Sequence, residues 1–321
     1  MSQLPQIEGY HLDCILGQGG QGAVFGGQRV SDGRKVAIKV LHDEFFDQQI
    51  KAMERFHREI AVSKKFAHAN VIRILDGGLL PTGLPFLVMD YLEGESLLAR
   101  ALDNWLTSEE ILPIFSELAE ALDYIHSQGL VHRDIKPANV WCCMDGRTVL
   151  LDFGLCFVND ITRLTRTGNI VGTIITMAPE QIHSEAIGPY TDIYSLGATM
   201  YCAATGKRPY LPDQLVLIGT DELYRLVKPP NQLMPSFSPR LSRVIMKCLH
   251  NCPEMRYQSA EELKEALAKV NSPEEFFDES SGKKTVEIVR PQVLKTTGRD
   301  HRPLVLVVLF FCLLLAGVLS H

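Results

Sequence analysis

Near the start of the chain stand Gly17, Gln18, Gly19, Gly20, Gln21, Gly22, Ala23 and Val24, in the spacing G-x-G-x-x-G-x-V. Glycine lets backbone N–H groups approach phosphate oxygens with no Cβ in the way, so the run predicts a phosphate-binding turn. A dinucleotide-binding unit uses a similar glycine pattern but needs a helix directly afterwards. Here residues 24–30 read as a strand instead. One strand later, Val36, Ile38 and Val40 alternate with Ala37 and Lys39. A lysine within such a strand needs an anionic partner, because an unpaired buried charge is costly. A nucleotide phosphate together with a carboxylate would satisfy it. Glu59 is the plausible carboxylate, with Glu54 an alternative. Two further clusters follow: His132, Arg133, Asp134, Ile135, Lys136, Pro137, Ala138 and Asn139, and then Leu151, Asp152, Phe153 and Gly154.

The elements that must position these residues fall into two groups. Residues 10–40 read as short strands around a glycine-rich turn, and residues 71–75 and 86–89 as further short apolar strands. Residues 47–66 carry helical spacing, with Ile50, Met53, Phe56 and Ile60 on one face. After Thr107 the pattern turns helical. Residues 108–128 predict an amphipathic helix with Ser108 as N-cap and Gly129 as its stop. Helical patterns return near 190–205, 213–227, 239–250 and 259–270. The expectation is an α+β protein of two lobes.

The chain has 321 residues, of which 46% are hydrophobic and 22% charged, with a net charge of −6. That composition suits a globular core and lacks the basic face of a nucleic-acid binder, so no nucleic-acid partner is expected. Eight cysteines form no C-x-x-C pair and no zinc spacing. Cys248 and Cys252 are expected to share a helix face. The first ten residues lack the apolar core of a secretory signal, which with the cysteine usage suggests a reduced, cytosol-facing chain.

Taken together, G-x-G-x-x-G-x-V, Ala37-Ile38-Lys39, H-R-D-x-K-P-x-N, Asp152-Phe153-Gly154 and Ala178-Pro179-Glu180 resemble the protein kinase superfamily. The closest likeness is to the bacterial eukaryote-like (Hanks-type) Ser/Thr kinases. The resemblance covers roughly residues 10–270 and implies a two-lobed kinase fold, with an N-lobe about 10–92 and a C-lobe about 93–270. It implies ATP and Mg²⁺ as cofactors and proteins as substrates. By the same resemblance, Lys39 holds the α- and β-phosphates, oriented by Glu59. Asp134 accepts the substrate hydroxyl proton and Lys136 steadies the γ-phosphate. Asn139 and Asp152 coordinate Mg²⁺. Val24, Ala37, the gatekeeper Met89 and the hinge residues Asp90, Tyr91 and Leu92 enclose adenine. Glu180 pairs with Arg256, and Asp192 braces the catalytic loop. Arg133 before Asp134 implies switching by phosphorylation of the activation loop, with Thr165 and Thr167 as the sites; Thr173 is a poorer candidate.

Three positions, Gln21, Trp141 and Thr176, depart from the pattern. Gln21 stands at the tip of the glycine loop, where an apolar residue is common. Trp141 replaces a smaller aliphatic on the floor of the adenine pocket, and either narrows the pocket or rotates outward. Thr176 replaces a frequent tyrosine, which puts substrate preference in doubt. Ala138 gives no sign of basic substrates.

Residues 271–303 read as a flexible linker, acidic first and basic later. Residues 304–319 contain no charge, and as a helix they would span about 24 Å. That predicts a transmembrane anchor over 304–320. Arg299 and Arg302 beside it keep the kinase domain cytoplasmic by the positive-inside rule. Clustering on the membrane would favour self-association and autophosphorylation in trans. The other function classes are an anchored binding module on a kinase fold and a small-molecule phosphotransferase. The intact Lys39, Asp134, Asn139 and Asp152 disfavour the first, and the long activation loop disfavours the second.

Overall fold

The computed structural model describes residues 4–19, 22–42, 60, 63–103, 105–152, 176–210 and 220–272. The chain groups into two units, Met1–Glu274 and Glu275–His321, and the second lies outside the described residues.

The first lobe is an antiparallel sheet of β1 (Tyr10–Gly19), β2 (Gly22–Arg29), β3 (Lys35–Leu41), β4 (Ile74–Leu79) and β5 (Pro85–Asp90), in the order β1-β2-β3-β5-β4. Alternation along β3 divides its side chains between two cores. Val36, Ile38 and Val40 pack outward with Ile7, Leu12, Phe25, Leu80 and Val88. Ala37 and Leu41 face the other way, into the main core with Leu87 and Met89. Lys39 shares that inner face by strand parity. Each buried aliphatic of this kind contributes about 2 kcal/mol.

Two glycines shape the sheet. Gly22 opens β2 at φ 155°, and a Cβ there would lie 2.1 Å from the Val40 carbonyl oxygen. Only glycine fits so close to the neighbouring strand. Gly77 lies under Ile60, with 2.7 Å from its Cβ position to Ile60 Cδ1. Gly77 and Gly78 also explain a misplaced strand. The apolar pattern puts a strand at 71–75, but β4 begins at Ile74 and runs through both glycines to Leu79. Val71 makes only a parallel bridge to Leu150.

The second lobe begins with β6 (Gly94–Ser96), α1 (Leu97–Asp103) and α2 (Ser108–Ser127). Ile111, Phe115, Leu118, Leu122 and Ile125 give α2 a buried stripe. Its N-cap is Thr107, one residue before the expected Ser108. The Thr107 hydroxyl accepts from the Glu110 N–H, and the Glu110 carboxylate accepts from the Thr107 N–H at 2.8 Å. Two otherwise orphaned amides are thereby satisfied. Ser108 instead accepts from the Ser238 N–H at 2.8 Å. Gly129, at φ 75°, stops the helix as expected.

A 3₁₀ turn (Pro137–Asn139) leads into β7 (Val140–Cys143) and β8 (Thr148–Leu150), which complete a small sheet β6-β7-β8. The helices α3 (Pro179–Ile182), α4 (Pro189–Thr205), α5 (Asp221–Leu226), α6 (Pro230–Leu233), α7 (Pro239–Cys248) and α8 (Ala260–Ala268) follow. Nearly every residue of α4 is buried, so it forms the spine of this lobe. Of the helix expected over 213–227, only Asp221–Leu226 falls within the described residues and is helical. Helix α7 ends at Cys248, so Cys248 is buried while Cys252 lies beyond the helix and exposed, and the two do not share a face. The six described cysteines are free.

Candidate active site

Three segments far apart in sequence converge at the junction of the sheet and the second lobe. The first is β3. Its register sets Lys39 opposite Val24 on β2 and Leu87 on β5, and Ala37 opposite Gly26 and Met89. Val24, Ala37, Lys39 and Met89 are thus arranged on neighbouring strands. The β1–β2 ladder continues through Gly17↔Val24 and Gln18↔Ala23 to Gly19↔Gly22. Gly20 and Gln21 lie outside the described residues, as do Glu54 and Glu59.

The second segment runs from His132 to Asn139. Lys136 Nζ donates to both carboxylate oxygens of Asp134, at 2.9 and 2.8 Å. Asn139 Nδ2 donates to the Asp134 carbonyl at 2.8 Å and to Asp134 Oδ2 at 2.9 Å. These bonds fix the Asp134 rotamer. With the nitrogen of Asn139 so used, its other side-chain atom is a hard oxygen, Oδ1. His132 is fully buried and accepts at Nδ1 from the Asp134 N–H. Its Nε2 faces the Leu151 carbonyl at 2.9 Å. A carbonyl only accepts, so His132 is assigned as the neutral Nε2–H tautomer.

The loop is held from below by Asp192 on α4. This fully buried carboxylate accepts from the His132 N–H at 2.7 Å, the Arg133 N–H at 2.8 Å and His126 Nε2 at 2.8 Å. Arg133 sits at φ 69°, a left-handed conformation that costs a non-glycine residue of order 1–3 kcal/mol. The hydrogen bonds from Asp192 help offset that cost.

The third segment is the exit from β8. The Leu151 N–H donates to the Asn139 carbonyl at 2.8 Å, which sets Asp152 beside the loop at φ 60°. Lys39 Nζ donates to Asp152 Oδ1 at 2.7 Å. Burial alone would raise the Asp152 pKa. The Lys39 ammonium, helped by Lys136, instead holds it below the ordinary carboxylate value. Phe153, Gly154, Thr165, Thr167 and Thr173 lie outside the described residues.

Met89 is buried, while Tyr91 and Leu92 are half-buried against the edge of the main core. The Asp90 side chain turns to Arg34, with Oδ1 at 2.6 Å from Nη2, so any base recognition at Asp90 falls to its backbone. Trp141 does not rotate outward. It is half-buried and packs against the main core, with its indole Nε1 screened from solvent.

Glu180 and Arg256 form a bidentate pair at 2.7 and 3.0 Å, both side chains buried. Thr191 Oγ1 also donates to Glu180, at 2.9 Å. The remaining guanidinium donors reach the carbonyls of His250, Tyr190 and Asn251. Motif reading overlooked Gln181. Its Nε2 donates to the Arg133 carbonyl at 2.9 Å, and its Oε1 accepts from the Ala178 N–H at 3.1 Å. Gln181 therefore ties the catalytic loop to the Ala178-Pro179-Glu180 segment. A polar residue directly after that segment was the available signal.

Asn139 and Asp152 suit a hard cation. Among the described residues, no group of three or more His, Cys, Asp or Glu side chains could hold a metal. Two protein ligands are what Mg²⁺ needs when substrate phosphates and water complete its shell, so the residues fit that ion.

The protein kinase domain family matches residues 10–267. A probable serine/threonine-protein kinase of Clostridium acetobutylicum is 33% identical over 273 residues, covering 83% of this chain and 41% of that protein. The serine/threonine-protein kinase PknB of Mycobacterium leprae is 31% identical, covering 82% of this chain and 43% of that protein. The chain thus spans about two-fifths of the length of these curated relatives. The crystal structure of the Mycobacterium tuberculosis PknI kinase domain superposes with a TM-score of 0.65 at 26% identity, over 82% of this chain and 96% of that one.

Proposed function

The chain belongs to the protein kinase family, and from that premise we propose that it transfers the γ-phosphate of ATP to Ser or Thr hydroxyls of protein substrates. One observation carries the reading: residues as distant as Lys39, Asp134 and Asp152 meet in a single linked cluster. The Lys39–Asp152 pair is 2.7 Å long, and Asp134 is held by both Lys136 and Asn139. Phosphoryl transfer needs positioning and charge neutralisation more than covalent help, and this cluster supplies both.

Lys39 presents its ammonium to the α- and β-phosphates, with Glu59 as its second partner. The glycine loop, from Gly17 to Gly22, covers the phosphates with backbone N–H groups. Val24, Ala37 and Met89 enclose the base, and backbone groups of Asp90, Tyr91 and Leu92 hydrogen-bond its edge. Asp134 aligns the incoming hydroxyl and takes its proton. Lys136, now on Asp134, also reaches the γ-phosphate and offsets its charge. Asn139 and Asp152 hold Mg²⁺, which when bound neutralises charge on the phosphate oxygens. Thr165 and Thr167 are the activation-loop autophosphorylation sites, with Arg133 the cation they engage. Residues 304–320 anchor the chain in a membrane with residues 1–303 on the cytoplasmic side, and clustering there promotes trans-phosphorylation.

Phosphoamino-acid analysis and mass spectrometry of the full chain incubated with ATP and Mg²⁺ test this reading. It expects phosphothreonine or phosphoserine on a protein substrate and on Thr165 or Thr167. Phosphate found only on small molecules would overturn it. Deleting residues 304–321 should move the chain out of the membrane fraction and lower its autophosphorylation in cells; unchanged fractionation refutes the anchor.

A further inference from the structure

The peptide that joins Arg133 to Asp134 is held at both ends. Its carbonyl accepts from Gln181 Nε2 at 2.9 Å, and its N–H donates to His132 Nδ1 at 3.3 Å. The peptide before it is held by Asp192, which accepts from the Arg133 N–H at 2.8 Å. A peptide unit is planar, so only φ and ψ at Arg133 can turn one of these planes against the other. With both planes held, those angles are set, φ at 69°, and the Cα of Asp134 is placed. Lys136 and Asn139 then fix the carboxylate on that Cα. The backbone and the side chain of the reacting residue are thus positioned by different groups.

Gln181 also has a local task. It stands at the third position of α3, and its Oε1 accepts from the Ala178 N–H at 3.1 Å, as a capping box requires. That task needs only an oxygen, which glutamate would supply equally well. The amide nitrogen is surplus to the cap, and it is directed 48 residues back along the chain to the Arg133 carbonyl. The base from which it reaches is firm. Glu180, the preceding residue, is buried and bonded to Arg256 and Thr191. We propose that Gln181 is a positioning residue for phosphoryl transfer: through the Arg133 carbonyl it sets the direction in which the chain delivers Asp134.

This role rests on the kinase reading, and the two fail in different ways. Gln181→Glu keeps an oxygen for the Ala178 N–H but sets a second oxygen against the Arg133 carbonyl. Gln181→Met keeps the length of the side chain and loses both bonds. Transfer of radiolabelled phosphate from ATP to a mixed library of Ser- and Thr-containing peptides is measured for the full wild-type chain and for both variants, beside thermal melts. Both variants should lose about tenfold in kcat with the KM for ATP unchanged. Gln181→Glu, its cap retained, should melt at the wild-type temperature. A wild-type kcat in Gln181→Glu would leave Gln181 as a cap alone and overturn the proposal. A raised KM for ATP at unchanged kcat would overturn it too, because the effect would then lie in nucleotide binding. No transfer by a wild type that binds ATP would instead sink the kinase reading itself.

Discussion

Replacing Asp192 by Asn probes how α4 controls a reaction centre it does not touch. Asp192 accepts three hydrogen bonds, from the His132 and Arg133 amides and from His126, at 2.7 to 2.8 Å. The side chain is fully buried. Hydrogen bonds to a charged acceptor contribute about 1.5–3 kcal/mol each. Asparagine keeps one acceptor oxygen and sets an NH₂ group against the other donors, so at least one bond is lost. The expected destabilisation is about 2–4 kcal/mol, measured by urea unfolding. Without that support Arg133 relaxes from its left-handed conformation, and Asp134, the next residue, moves with it. A displacement near 1 Å at a reacting group costs on the order of 100-fold in rate. Steady-state phosphorylation of a protein substrate should therefore show kcat falling about 100-fold, with the KM for ATP nearly unchanged. A variant that unfolds at the wild-type midpoint and keeps the wild-type kcat would refute the bracing argument.

Other perturbations follow from the same geometry. Arg256→Ala strands the buried Glu180 carboxylate with only the Thr191 hydroxyl, and should cost about 3–5 kcal/mol in urea unfolding. Replacing both partners with apolar residues should recover much of that loss. Thr107→Ala removes the cap of α2 and should lower stability by about 1 kcal/mol in the same assay. The Asp152 pKa is depressed in the folded state, so this carboxylate adds stability above its ordinary value and loses it as pH falls through the folded one. Wild-type stability should therefore fall more steeply than that of Asp152→Asn below about pH 4, followed by unfolding at stepped pH.

Which parts of this site could be read from residues alone follows physical lines. Lys39 was legible because a charge between Val36, Ile38 and Val40 violates the pattern of a buried strand. The loop at 132–139 was legible because its residue types are dictated by chemistry. Contacts that depend on tertiary convergence left weaker traces. Asp192 is about 60 residues from the amides it holds and sits in a helix whose sequence shows only burial, so family resemblance alone pointed to it. Gln181 reads locally as an ordinary helix residue. The helix α2 starts at Ser108 as expected, but its N-cap was misplaced by one because Thr107 and Ser108 are both good caps; Glu110, three residues after Thr107, was the signal that separates them. Gly77 and Gly78 hid most of β4, since glycine carries no strand signature although close packing beneath Ile60 requires it. The direction of Trp141 depended on strand parity in β7, which became fixed only once β6 and β8 flanked it.

The most direct test of the central claim is transfer of radiolabelled phosphate from ATP to a protein substrate, with the wild-type chain beside Asp134→Asn. Asp134 is the carboxylate gripped by Lys136 and Asn139 at the centre of the cluster. The account predicts label on the wild-type reaction, recovered as phosphothreonine or phosphoserine, and at least a 100-fold loss, on the order expected for removing a general base, in the variant. Equal labelling by both proteins, or none by a wild type that binds ATP, would contradict it.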